Sequence, residues 1–85
     1  MTEPRYWKHE TSGVLRPAVQ AYLEGAEMTP EHVAAMRAYL RQWIESPAWR
    51  GPSIAALRAR VDHLHSRRAI ADWLALADEN GIDPL

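Results

Sequence analysis

Apolar residues recur along this chain at the three-to-four spacing of helices that face a core, and that rhythm predicts four helices. The first covers residues 17–24. Leu15, Val19, Tyr22 and Leu23 share a face, Pro17 suits a first helical position, and Gly25 supplies a left-handed stop. The second covers 30–45 and has the clearest start. Thr29 caps, Pro30 takes the first position, Glu31 complements the helix dipole, and Val33, Met36, Leu40, Trp43 and Ile44 form the stripe. Arg37 and Arg41 lie four apart on another face. Pro47 and Pro52 bracket a stretch that cannot stay regular, and Trp49 within it is expected to lie over the core as a lid.

The third helix, 53–64, repeats Ile54, Leu57, Val61 and Leu64; the fourth, 67–79, carries Ile70, Trp73, Leu74 and Ala77. Continuing the first rhythm would bury Arg68 and Ala71, so the stripe jumps at 65–69. Either the chain breaks at Ser66, which then caps a fourth helix, or one long helix rotates its buried face. We favour the break. Asn80-Gly81 ends the last helix, with Ile82 expected to pack back on Ala77 or Leu76. Residues 1–13 lack helical periodicity. They are expected to form an extended arm that straps across the helices and buries Trp7. No strand-like alternation of useful length appears. The expected fold is all-α: one domain over 1–85, an arm over 1–13 and a compact bundle of four helices over 14–85.

Composition narrows the function classes. With 47% hydrophobic residues in 85, the chain can fill one core. It has no cysteine, which excludes disulfides and cysteine-based zinc sites. No apolar run approaches the roughly 20 residues that span a membrane, and the N-terminus lacks the apolar core of a signal peptide. A cytoplasmic protein with no membrane partner is the expectation.

The net charge of −1 argues against bulk attraction to nucleic acid, but its distribution is uneven. Residues 1–35 carry −2, residues 36–69 carry +5 and residues 70–85 carry −4. Such blocks either make one basic face or fold back and neutralise one another.

Candidate chemistry is sparse. His63 and His65 in "VDHLHSRRAIADW" stand two apart, which on a helix separates their rings by about 200°. In a loop they could converge, joined by Asp62, with His32 or His9 arriving from elsewhere. Nothing resembles a compact zinc signature. Ser12 precedes a glycine, and Ser46, Ser53 and Ser66 sit at helix edges, where capping or turn roles explain them. There is no nucleophile elbow, no convergent carboxylate pair and no Gly-rich phosphate loop. We therefore expect no enzyme, no metal and no cofactor.

The basic block remains. Arg58, Arg60, Arg67 and Arg68 cluster about the third-to-fourth junction. If Ser66 caps a helix, Arg67 and Arg68 oppose its dipole at one end and Asp78 and Glu79 at the other, each exposed charge costing about 0.3–1 kcal/mol. That arrangement calls for compensation from an intramolecular acid or from an anionic partner. Trp49 with Arg50, and Tyr6-Trp7 between Arg5 and Lys8, add the aromatic and guanidinium pairs favoured at interface centres. A partner-binding surface of Arg58, Arg60, Arg67, Arg68, Trp49 and Arg50 follows, docking a protein with an acidic face. The alternative is a nucleic-acid regulator holding phosphates with the same arginines. Against it, the turn lacks glycine, and the would-be recognition helix continues with Asp72, Asp78 and Glu79. A homodimer stays open, through any apolar face the four helices leave uncovered.

In "RYWKHETSGVLRPAVQAYL" and the closing "GIDPL" the chain resembles small uncharacterised helical proteins carried by phages and prophages of GC-rich bacteria. The likeness covers about the first 25 residues and the last five, and no functional residue comes with it. It implies a bacterial accessory protein that works by binding a host or phage component. Inhibitors of host defence are one such class.

Overall fold

A computed structural model of the chain describes residues 13–46, 49 and 51–85. The expected arm, with Tyr6 and Trp7, lies outside the described residues except for Gly13, and so do Pro47 and Arg50. Four helices follow one another: α1 (Leu15–Glu24), α2 (Pro30–Ile44), α3 (Pro52–Val61) and α4 (Arg67–Glu79). The described residues contain no strand. The all-α bundle of four helices is thus the architecture of the described chain.

Helix α1 begins two residues earlier than Pro17. Leu15 is buried and starts the helix, and Pro17 falls in the first turn, whose amides have no intrahelical partner anyway. Gly25 closes it at φ +74°, and the amides of Gly25 and Ala26 return to Tyr22 O and Ala21 O. Helix α2 starts as expected at Pro30 behind Thr29. The Thr29 hydroxyl accepts the His32 amide at 3.1 Å, and His32 Nδ1 accepts the Thr29 amide at 3.3 Å. The reciprocal partner in this capping box is a histidine instead of the usual glutamate or glutamine.

Helix α2 is the centre of the bundle, in contact with each of the other three. That explains why its buried set is wider than one stripe: Val33, Met36, Tyr39, Leu40 and Ile44. Tyr39 was not part of the expected stripe. Its hydroxyl donates to Pro84 O, which holds the C-terminal tail across α2, and Ile82 and Pro84 are buried with it. Trp43, expected on the core face, is only half-buried.

The chain does break before α4. Ser66 has extended backbone, and its hydroxyl accepts the Ala69 amide at 3.1 Å. Helix α3 ends at Val61, three residues short of the expected 64, and Asp62 to His65 form a turn. Leu64 remains buried although it is no longer helical, which is why the apolar rhythm ran through it. Trp73 ties the two helices together by donating its Nε1–H to Leu57 O at 2.9 Å. At the far end, the Gly81 amide reaches Asp78 O and the Ile82 amide reaches Ala77 O, a Schellman closure with Ile82 packed inside. No helix among the described residues is long and apolar enough to cross a membrane.

The Ser66 cap yields a direct test. Ser66→Ala should lower stability by about 1 kcal/mol through loss of the cap, read as a lower urea midpoint at unchanged slope. Ser66→Asp should restore or exceed the original midpoint, because a carboxylate both caps and offsets Arg67 and Arg68.

Candidate functional site

The two arginines in the first turn of α4 have different fates. Arg67 is half-buried and turned toward the end of α1. Its Nη1 donates to Ala21 O at 3.3 Å and to Ala26 O, and its Nη2 donates to Tyr22 O. The guanidinium carbon stands 5.1 Å from the centre of the Tyr22 ring. The last carbonyls of a helix form the negative end of its dipole, so a cation is stabilised there. Arg67 therefore sits against the dipole of its own helix and with the dipole of α1. Among the described residues no acid answers it; carbonyl oxygens do.

Arg58 repeats the arrangement on α2. Its Nε donates to Ile44 O at 3.0 Å, and its Nη2 donates to Ser46 O and to Trp49 O, both at 3.1 Å. Arg37, on α2, does the same beyond the end of α3: its Nη1 donates to Leu64 O at 3.1 Å and contacts His65 Nδ1 at 3.2 Å. Asn80 closes α4 by donating Nδ2 to Leu76 O at 2.9 Å. The ends of α1, α2 and α4 thus carry carbonyls that accept a side-chain donor, and Arg37 does the same for the turn after α3; the three arginines reach across from another helix. Arg37 was not among the expected site residues. No local pattern marks it, because its partners lie 27 and 28 residues away.

Of the expected docking residues, Arg58 and Arg67 donate to backbone carbonyls within the chain. Arg60 and Arg68 are exposed and have no hydrogen-bond or ion-pair partner among the described residues. Trp49 is half-buried as the expected lid, its ring 4.8 Å from that of Trp43 and tilted by 33°. Arg50 lies outside the described residues. The acid of the junction, Asp62, goes to Arg41, with Nη1 to Oδ1 at 3.4 Å, and Arg41 also meets Glu45 at 3.2 Å.

His63 and His65 part company in the turn. His63 lines a recess of about 230 Å³ with Arg60, Leu64, Ala69, Asp72 and Trp73. His65 lines a different cleft, of about 480 Å³, with Met28, Pro30, Val33, Arg37, Ser66 and Arg67. Among the described residues no three metal-capable side chains converge.

Compared with protein-family models, with curated proteins and with solved structures, the chain matches none.

Arg67 and Arg68 are neighbours in sequence with opposite expected costs. Arg67→Met should destabilise by about 2–3 kcal/mol, because its charge-assisted hydrogen bonds to the end of α1 and the following loop are lost. Arg68→Met should change stability by no more than about 0.5 kcal/mol, since it only removes an exposed charge from the wrong end of a dipole. Chemical denaturation of the two variants beside the wild type separates them. Equal costs would remove the assignment.

Proposed function

We propose that the protein is a non-catalytic interaction module that docks stoichiometrically on an acidic protein surface, in an accessory role suited to a phage or prophage. The observation that carries this reading is the pair Arg60 and Arg68. Within a cluster whose other members donate to carbonyls or lie outside the described residues, these two guanidiniums are exposed and have no partner among the described residues. Arg60 lines a recess with His63, Leu64, Ala69, Asp72 and Trp73. Arg68 lies one helical turn before Asp72 and so on the same side of α4. Apolar area with two exposed arginines beside it suits a carboxylate-bearing segment that avoids Asp72: the arginines steer and orient, and Leu64, Ala69 and Trp73 supply contact area.

A nucleic-acid regulator has less to draw on. Arg67 is held against α1, so the start of α4 offers Arg68 alone, and Asp72 follows on the same side. Phosphate contacts would need more cations than that.

The test compares wild type with an Arg60→Glu, Arg68→Glu variant that keeps the wild-type helical signal and midpoint. The partner captured from the source organism by wild type should bind the variant at least about tenfold more weakly, the scale of losing one charge-assisted pair. Undiminished binding removes these residues as the docking surface. Mixed-sequence DNA should show no retardation at low salt; salt-sensitive retardation would favour the phosphate-binding alternative.

A further inference from the structure

We propose that the 480 Å³ cleft between the α1–α2 loop and the α3–α4 turn binds a small organic oxyanion, a phosphate ester or a carboxylate, through Arg37, Arg67 and His65. This site is separate from the Arg60–Arg68 surface, since the two histidines of the turn line different recesses.

Three observations converge on an anion. The first is charge. Arg37 and Arg67 are both half-buried and both line the cleft, yet neither forms an ion pair among the described residues. Carbonyl oxygens satisfy some of their donors but carry no full charge, so among the described residues the two guanidinium charges have no counter-ion. Among the described residues no carboxylate lines the cleft.

The second is donor count. A guanidinium has five N–H groups. Arg37 uses only Nη1, and Arg67 only Nη1 and part of Nη2. Nε and Nη2 of Arg37 and Nε of Arg67 keep N–H groups to give. An arginine cannot accept, so His65 Nδ1 accepts from Arg37 and the neutral ring carries its proton on Nε2, a further donor. The first turns of α2 and α4 also border the cleft at Pro30 and at Ser66-Arg67, so the positive ends of two dipoles add to the field.

The third is shape. Met28, Pro30 and Val33 add apolar lining, and the volume exceeds that of a bare phosphate and falls in the range of small-ligand sites. The ligand is therefore an oxyanion with an apolar body: the charged head meets the guanidiniums and the body lies on Met28 and Val33.

The experiment is an NMR titration of the full chain with phenyl phosphate, with benzoate, and with sodium chloride at matched ionic strength. The arginine Nε–H signals and the Ser66, Arg67 and Arg68 amides are followed. Saturable shifts at Arg37 and Arg67 with phenyl phosphate alone identify a phosphate-class ligand; with benzoate alone, a carboxylate; with both, a site for either head group. His65→Glu, at an exposed position, puts a carboxylate beside Arg37 and should weaken binding at least about tenfold with the fold retained. Arg37→Gln should do the same. Absence of saturable shifts with both aromatic anions, shifts equalled by chloride, or undiminished affinity in the folded His65→Glu protein overturns the proposal.

Discussion

A helix must leave its last carbonyls without amide partners, and four short helices in one small domain make many such ends. This chain covers them with side chains that come from far away in sequence. Arg67 of α4 closes α1, Arg58 of α3 closes α2, and Arg37 of α2 reaches the turn after α3. These contacts do more than satisfy oxygen atoms. Each fastens the end of one helix, or the turn that follows it, to another helix. The core of Met36, Leu40, Ile44, Leu57 and Ile70 holds the helices side by side; the guanidiniums fix how far along one another they sit.

That frame sets what is left for function. An arginine that donates to three carbonyls can reach a further group only with its remaining N–H groups, since moving it would loosen the bundle. The basic cluster therefore divides into Arg58 and Arg67, which donate to backbone carbonyls, and Arg60 and Arg68, which have no partner among the described residues. The turn between α3 and α4 divides likewise. It sends His63 to one recess and His65 to another, so two histidines that look like a pair in sequence serve separate surfaces. Carbonyl closure also leaves charge uncompensated, because a carbonyl is a dipole and a guanidinium is an ion. The positive field at the cleft is a consequence of the way the fold closes its own helices.

Much of the fold was legible because its signals are local. Caps at Thr29 and Ser66, stops at Gly25 and Gly81 and the jump of the stripe at 65–69 each depend on a few adjacent residues. Structure departs from local pattern where a second element intervenes. Tyr39 lies off the sequence stripe because one stripe suffices for a helix with one neighbour, and α2 has three. The apolar rhythm carries α3 to residue 64 because burial of Leu64 continues after the helix has stopped, in a turn held by Arg37.

By itself the sequence determined the number of helices, most of their ends and the faces they bury, since periodicity and capping are properties of neighbouring residues. It also marked the arginine cluster as the one anomaly, because charges that oppose a helix dipole are visible without coordinates. Only the tertiary structure decided the role of each arginine. Whether Arg67 meets an acid, a partner or a carbonyl depends on the end of α1, which is 41 to 46 residues away in the chain and adjacent in space. A hydrogen bond over that separation leaves no periodic trace, and only the assembled bundle brings its two ends together.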